Sequence, residues 1–205
     1  MNADARVMEF YPAPLTDAES QALMERIRSE FPTEGFGLYA VERLSDNELL
    51  GFVELHRVTC SGELAGQIEI GWRLRRDTWG QGYATEAARA CIAHAAKLGI
   101  PELISFTYVG NRRSLNVMKR LGMEYAGEFD HPALPEGHPL RRHAPIASGL
   151  NNEKVRGPEG SRTSLFRRRN HFNSNSTVPR ISSDAAPTQA VNAPGSATHA
   201  PFASS

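Results

Sequence analysis

Two glycines flank a glutamine in the stretch "WGQGYATEA", which runs from Trp79 to Ala87 and leads into the most alanine-rich part of the chain. Glycine has no Cβ, so Gly80 and Gly82 let the backbone curl until consecutive N–H groups point into one concavity. Such a concavity at a helix N-terminus attracts an anion, and the oriented amides contribute on the order of 1 kcal/mol to holding it. The stretch therefore predicts a phosphate-binding turn that needs no lysine.

Two common phosphate-binding motifs do not fit this turn. A P-loop ends in Gly-Lys-Ser/Thr, whereas Tyr83 and Ala84 stand in those places. A dinucleotide-binding fingerprint needs a third glycine where Thr85 stands, and an acidic residue at the end of the next strand, whereas Glu102 precedes that strand. A tight strand-to-helix turn that holds no ligand remains the alternative.

The elements that would position this turn follow from the spacing of apolar residues. "TDAESQALMERIRSEF" combines capping-box spacing at Thr16 and Glu19 with a stripe of Leu23, Ile27 and Phe31, which predicts an amphipathic helix. "GFGLYAVERL" and "LLGFVELHRV", joined by "SDNE", predict a β-hairpin, and "QIEIGWRL" predicts a third strand.

The turn is followed by a second set of elements. "YATEAARACIAHAAKLG" predicts a helix with a face of small residues that ends at Gly99, and "LISFTYV" predicts a strand. "RSLNVMKRLG" predicts a short helix that ends at Gly122, and "MEYAGEFD" predicts the last convincing strand. A strand, helix and strand in this order predict a parallel crossover beside the antiparallel hairpin, so we expect a mixed α/β fold.

Composition indicates one folded domain and a tail. The chain has 205 residues, of which 40% are apolar, and this is enough for a single core. From about Ala144 onward Ser, Asn, Pro, Ala and Thr dominate, and the periodic apolar pattern stops. We therefore predict a domain over residues 1–144 and a disordered tail over residues 145–205.

Charge and cysteine usage limit the partners and the compartment. Basic and acidic residues number 23 each, with the acidic excess in residues 1–144, so we expect no specific nucleic-acid partner. No apolar run is long enough to span a bilayer, so we expect no membrane partner. Cys60 and Cys91 form no CxxC pair and follow no secretory signal, which favours a reducing, cytoplasmic setting.

Three histidines raise the question of a metal. His131, His138 and His143 have H-x6-H-x4-H spacing interrupted by prolines, which fits no standard zinc pattern. We expect no metal, and we interpret these histidines as loop residues near an acceptor. Cys91 lies on the small-residue face of its helix and is interpreted as a packing residue.

Two longer stretches, "EIGWRLRRDTWGQGYATEAA" and "VGNRRSLNVMKRLGMEY", resemble the GCN5-related N-acetyltransferases (GNAT), in particular their RimJ/RimL-like branch. The family's phosphate turn, Q/R-x-x-G-x-G/A, is matched by the six residues from Trp79 to Ala84, with Trp in the first place. The family's second block is matched by Asn111-x-x-Ser114 and by "LGM". The resemblance implies a GNAT-like mixed sheet with a central parallel pair splayed around acetyl-CoA.

The resemblance covers roughly residues 3–143 and departs from the family pattern at both ends. Members of the family begin with a strand and the first half of a helix, whereas "NADARVMEFYPAPL" resembles the second half of that helix, so the first strand is expected to be missing. "FDHPALPEGHPLRRH" resembles the long loop that precedes the family's final strand. The segment "APIASGL" that follows contains Pro145, so we expect it to be a poor strand.

The resemblance implies a set of residues that hold acetyl-CoA as cosubstrate. Backbone amides would bind the pyrophosphate, and backbone groups of Arg73 and Leu74 would pair with the pantetheine arm. The Leu74 amide would also polarise the thioester carbonyl. Asn111 would contact the pantetheine or the acceptor, with a helix N-cap as its alternative role. The amides of the turn are those of Gly80, Gln81, Gly82, Tyr83 and Ala84.

Two residues are candidates for catalysis. An amine attacks only when it is neutral, so a base is required, and Glu69 on the strand that faces the thioester is the candidate. A solvated glutamate or a structural ion pair is the alternative for Glu69. Many relatives protonate the leaving thiolate with a Tyr, but Met118 lies in that neighbourhood, and Ser114 is the nearest hydroxyl that could give a proton or orient the sulfur.

The function implied is transfer of an acetyl group from acetyl-CoA to a primary amine, either a protein N-terminus or a small molecule. A GNAT relic that binds CoA and catalyses nothing is the first alternative. A nucleotide- or phosphate-binding module is the second, and the missing lysine and third glycine argue against it.

Overall fold

The computed structural model describes residues 1–60 and 62–149 of the chain, with side chains described through residue 146. Residues 1–10 form a series of turns, and Val7 and Met8 within them are buried. The helix α1 follows over Asp17–Glu34. Its start has the capping box predicted above, because the Thr16 hydroxyl accepts from the Glu19 N–H while the Glu19 carboxylate accepts from the Thr16 N–H.

Seven strands form one mixed sheet, in which only β3 and β4 run parallel among the pairings of the described residues. The strand order is β1-β2-β3-β4-β7-β5, and β6 also pairs with β7. This arrangement confirms the mixed α/β class, the antiparallel hairpin and the parallel pair. The strands are β1 Leu38–Glu42, β2 Leu49–Arg57, β3 Ile68–Leu74, β4 Glu102–Tyr108, β5 Glu124–Tyr125, β6 Phe129–Asp130 and β7 Arg142–Gly149.

The parallel strands at the centre of the sheet separate soon after they meet. Glu69 of β3 and Ile104 of β4 are the one residue pair that joins them in the described chain, although the strands continue to Leu74 and Tyr108. Each strand remains paired on its other side, β3 with β2 and β4 with β7. The carboxyl-terminal halves of β3 and β4 therefore border a gap within the sheet, which we call the central opening.

Helices cover both faces of the sheet. The helices α2, Tyr83–Lys97, and α3, Arg112–Arg120, pack on the main apolar face. On the other face Leu23 and Ile27 of α1 pack against Leu38 and Phe52. Side chains alternate between the faces of a strand, so the residues on the α1 side of β2 and β3 are those in register with Phe52. These residues are Phe52, Glu54, His56, Glu69, Gly71 and Arg73.

One glycine of β2 is required by close backbone approach. Gly51 has φ of 149°, and a Cβ on it would lie 2.2 Å from the Arg73 carbonyl oxygen of β3. No other residue fits at that distance, so Gly51 lets the two strands stay paired up to Leu74.

The prediction that "APIASGL" is a poor strand is wrong. β7 runs through it from Arg142 to Gly149 and pairs with β4 on one side and with β5 and β6 on the other. Pro145 is tolerated because its missing N–H falls on the β5 side, where its carbonyl accepts from the Ala126 N–H at 3.1 Å. Ala126 lies between β5 and β6, so the proline interrupts no continuous ladder.

Two further boundaries differ from the sequence predictions. The predicted end of the domain at residue 144 lies inside β7, because this strand continues to Gly149. "MEYAGEFD" forms two short strands, β5 and β6, rather than one. The rest of the predicted tail, residues 150–205, lies outside the described residues. Within the described part of the chain, no helix has the length and apolar character needed to cross a bilayer.

Candidate active site

The predicted phosphate turn has the backbone conformation that glycine favours. Gly80 and Gly82 have φ of 75° and 88°, and a Cβ on either would meet no atom within 4 Å. The glycines are therefore required by conformation and not by crowding. Gly82 is the N-cap of α2 and offers no side chain to its amides. The first helical bond runs from the Glu86 N–H to the Gly82 carbonyl, so the preceding amides have no acceptor within the helix.

Trp79, the first residue of the family turn, ties the turn to the end of β3. Its indole Nε1 donates to the Leu74 carbonyl at 3.0 Å, and the Arg113 guanidinium lies 4.5 Å from the centre of its ring. Arg113 also forms an ion pair with Glu9 at 2.7 Å. The side chain of Gln81 is exposed and donates to the Asp77 carbonyl at 3.1 Å, away from the helix amides.

The backbone of β3 presents alternate residues to the central opening. The Arg75 N–H donates to the Leu50 carbonyl of β2 at 2.8 Å, and the direction of these groups alternates along an antiparallel ladder. The amides of Leu74 and Trp72 therefore face away from β2 and toward the opening. The amide of Arg73 faces β2, so of the two residues expected to pair with the pantetheine arm only Leu74 presents its amide to the opening.

The side chain of Arg73 lies on the α1 face of the sheet and is fully buried. Its Nη1 donates to the Asn2 side-chain oxygen at 3.0 Å. The guanidinium lies 4.3 Å from the centre of the Tyr11 ring and 5.2 Å from that of Phe52. Arg73 therefore joins the N-terminal turns to the sheet beside the end of β3.

Asn111 and Ser114 lie at the start of α3, directly after β4. Asn111 is fully buried and is the N-cap, because its Oδ1 accepts from the Ser114 N–H at 3.2 Å. Its Nδ2 donates to the Thr107 hydroxyl at 2.9 Å, so the alternative role named for Asn111 is confirmed. The Ser114 hydroxyl is fully buried and has no hydrogen-bond partner in the described chain. A buried hydroxyl without a partner is costly, and a bound ligand would satisfy it. Met118 packs in the core.

Glu69 lies where β3 and β4 meet, at the closed end of the central opening. The residue is only 3% exposed. Burial raises the pKa of this carboxyl well above its usual range, and the charge of nearby Glu54 raises it further. A desolvated carboxylate with a raised pKa is suited to removing a proton near neutral pH.

Two of the predicted acceptor-side histidines are core residues. The ring centres of His131 and His143 lie 4.9 Å apart, and both pack against Phe106 and Phe129. Burial lowers the pKa of His131 to about 4 and also lowers that of His143. The interpretation of His143 as a loop residue is wrong, because it lies on β7. The described residues contain no cluster of three or more side chains that could hold a metal ion.

The central opening therefore brings most of the predicted groups to one end of the parallel pair. α2 follows β3 and α3 follows β4 along the chain, so the N-termini of both helices lie toward the carboxyl-terminal ends of the parallel strands, and Trp79 links the turn before α2 to the Leu74 carbonyl. Glu69 lies five residues before Leu74, about 17 Å along the strand, and three before Trp72. Sequence reasoning missed the Trp72 amide, which the alternation of the predicted strand could have indicated.

Sequences of known proteins resemble this chain. A family model described as an acetyltransferase (GNAT) domain matches residues 1–124. The uncharacterized protein YkkB of Bacillus subtilis is 37% identical over 124 residues, covering 60% of this chain and 71% of YkkB. FsC-acetyl coenzyme A-N(2)-transacetylase of Aspergillus fumigatus is 27% identical over 135 residues, which cover 63% of this chain and 57% of the fungal protein.

Solved structures share the fold. A GNAT-family acetyltransferase from Bacillus anthracis superposes with a TM-score of 0.59 at 24% identity, covering 73% of this chain and 84% of that one. yncA from Salmonella typhimurium, solved with its cofactor acetyl-CoA, superposes with a TM-score of 0.55 at 12% identity, covering 72% and 83%. With a family model that matches more than half of its residues, the chain belongs to the GNAT acetyltransferase domain family.

Proposed function

We propose that this chain is an N-acetyltransferase that moves an acetyl group from acetyl-CoA to a primary amine, on a protein N-terminus or a small molecule. The observation that carries the proposal is the central opening, which the carboxyl-terminal halves of β3 and β4 border and at whose closed end the buried Glu69 lies. The fungal relative is named for the use of acetyl-CoA in N-acetylation, and yncA was solved with acetyl-CoA. Membership of the RimJ/RimL-like branch is part of the proposal and rests on the motifs alone.

The residues around the opening fit a molecule with a pyrophosphate and an extended amide-bearing arm. The amides from Gly80 to Ala84 would receive the pyrophosphate without a cation, since the turn itself carries none. The unpaired edge of β3 would pair with the arm through Leu74 and Trp72, as an added strand does. The buried Ser114 hydroxyl would find its missing partner there. Acetyl-CoA supplies the activated acetyl group as a thioester.

The chemistry requires three tasks of the protein. Glu69 would take one proton from the acceptor ammonium, directly or through a water, and so leave a neutral nitrogen with a free electron pair. The Leu74 amide, or that of Trp72, would stabilise the negative charge that develops on the carbonyl oxygen during attack. The Ser114 hydroxyl would orient the sulfur or protonate it as it leaves. The acceptor would approach from the α1 face, where the Glu69 side chain lies.

Thiol release tests this function directly. We expect acetyl-CoA to lose its acetyl group when a panel of peptides and small amines is supplied, and mass spectrometry should find the acetyl group on the amine nitrogen. CoA binding without thiol release for any amine would instead identify a relic that binds CoA. If ATP displaced CoA more readily than acetyl-CoA does, the turn would be a general phosphate site and the proposal would be wrong.

A further inference from the structure

A second buried carboxyl lies next to Glu69 on the neighbouring strand. Glu54 of β2 is directly opposite Gly71 of β3, and His56 is opposite Glu69. Glu54 is therefore the diagonal neighbour of Glu69 on the α1 face, at a spacing of about 7–8 Å between backbones, which long side chains span. Gly71 has no side chain, so no side chain of β3 lies directly opposite Glu54.

The two carboxyls have different surroundings. Arg73 lies diagonally opposite Glu54 on its other side, in register with Phe52. Burial raises the pKa of Glu54, while the charges of Arg73 and Arg26 oppose that rise. The causes that raise the pKa of Glu69 are burial and, second, the charge of Glu54. When two nearby carboxyls differ in this way, the one beside the cations ionises first and the other becomes the titrating base.

Other elements around the pair contribute few charges. Burial lowers the pKa of His56 to about 4, so this imidazole is neutral near pH 7. The Cys60 thiol, in the segment after β2, has its pKa raised by burial and by Glu69. β4 presents Ile104 and Phe106, which do not titrate, and His131 and His143 lie behind Phe106. The groups facing the pair are thus Arg26 and Glu30 of α1, His56, Cys60 and Arg73.

We propose that Glu54 is a positioning residue for acetyl transfer, whose negative charge keeps Glu69 basic enough to take a proton from a cationic amine. The inference rests on the proposed function of Glu69. In the step concerned, one N–H bond of the acceptor ammonium breaks and an O–H bond forms on the Glu69 carboxylate. The neutral amine keeps the electron pair, and Glu69 later releases the proton to water. The charge of Glu54 also attracts the ammonium before the transfer.

The first test measures the carboxyl without using activity. With glutamate labelled at the side-chain carboxyl carbon, an NMR titration would follow Glu69, whose signal is assigned by its absence in Glu69→Gln. In Glu54→Gln we expect the pKa of Glu69 to fall by about one unit or more, because a like charge has been removed. Glu54→Asp keeps the charge and should retain the high value. Glu102→Gln, an exposed strand glutamate, is the matched control and should change nothing.

The second test is the pH dependence of kcat/KM for an amine. In Glu54→Gln the acidic limb should move to lower pH by the same amount as the pKa of Glu69 falls in the NMR titration. In Glu54→Asp and Glu102→Gln the limb should stay in place. An unmoved limb or an unmoved Glu69 titration in a folded Glu54→Gln would overturn the inference and leave the proposed function intact. Absence of thiol release from the unmodified protein with every amine would overturn the proposed function itself, whatever the titration showed.

Discussion

At the scale of single residues, Glu69 combines a cost to stability with a role in the proposed chemistry. Its pKa in the folded state lies well above the ordinary value of 4.5. Between these two pH values the carboxyl ionises in the unfolded chain but not in the folded one. The penalty is absent at about pH 4, where both states are protonated, and grows as pH rises toward the folded pKa. A group that costs stability where it is charged is typical of a functional position.

Replacing this carboxyl with its neutral isostere should therefore stabilise the protein. We expect Glu69→Gln to raise Tm by a few degrees at pH 8, corresponding to about 1 kcal/mol, and to leave Tm unchanged near pH 4. Thermal unfolding followed by circular dichroism measures both values. Glu102→Gln serves as the control, and an equal gain at both pH values would show that packing, rather than charge, is responsible.

How much of the site could be predicted depends on whether a residue's role is local. The N-cap at Asn111 and the capping box at Thr16 involve partners close in the chain, and their spacing alone indicates them. Glu54 was missed because its relation to Glu69 depends on the register between β2 and β3. Register across the loop that joins these strands follows from the packed sheet and not from local spacing.

At the scale of elements, the N-terminus of α2 is proposed to bind the pyrophosphate through its backbone. The positive φ of Gly82 costs any other residue roughly 1–2 kcal/mol, and relaxation of that strain would redirect the amides. We expect Gly82→Val to weaken acetyl-CoA binding at least tenfold by calorimetry, while Gln81→Ala changes it less than twofold.

The same helix provides a matched control for this substitution. Gly99, just past the end of α2, has φ of 76°, and a Cβ on it would also meet no atom within 4 Å. Gly99→Val should lower Tm as much as Gly82→Val and leave acetyl-CoA affinity unchanged. If Gln81→Ala weakened binding more than Gly82→Val, the role assigned to the backbone amides would be wrong.

β7 was the element least visible in the sequence. Its pattern contains Pro145, and the feature that makes the proline acceptable is the break between β5 and β6, which belongs to other segments. Ile146 of this strand packs in the main core. A strand whose stabilising partners are distant in the chain gives little local signal.

Truncation tests whether β7 completes the fold. A chain ending at Ala144 would lose the pairing of Pro145 and Ile146 with β4, and should show a Tm lower by about 10 °C or no cooperative transition. A chain ending at Leu150 keeps β7 and should bind acetyl-CoA as the full chain does. Loss of binding in the longer truncation would show that residues 151–205 take part.

At the scale of the whole molecule, the order of elements predicted the fold class, while the order of strands did not follow from it. The β3-α2-β4 unit determines the parallel pair, because a helix long enough to cross the sheet separates the two strands. β7 enters between β4 and β5, against the order of the sequence. That placement depends on which edges remain to be paired once the rest of the sheet has formed.

Buried histidines should make the molecule less stable in mild acid. The pKa of His131 is lowered by burial to about 4 from an ordinary value of 6.5. Between these values the unfolded state binds a proton that the folded state does not, so stability falls as pH drops below about 6.5. The raised pKa values of Glu54 and Glu69 increase stability as pH falls through part of this range. A single substitution at His131 is therefore needed to separate the effect of the histidine.

His131→Asn is suited to this purpose. The His131 Nδ1 accepts from the Ala133 N–H at 3.2 Å, and an Asn side-chain oxygen can occupy the same place without titrating. We expect the variant to lose about 1–2 kcal/mol less stability than the parent protein between pH 7 and pH 5. Urea unfolding at the two pH values measures this difference. An equal loss of stability in the variant and the parent would show that His131 is not a source of the acid sensitivity.

The proposed function depends on Glu69 acting as the base for an amine, and the most direct measurement is thiol release by Glu69→Gln over a pH series. Glutamine keeps the shape and removes the base, so turnover should fall roughly 100-fold or more at neutral pH with acetyl-CoA affinity unchanged. The deficit should shrink as pH rises, because more of the acceptor is then already neutral. Turnover equal to that of the parent protein at every pH would contradict the account and leave Glu69 without a part in the reaction.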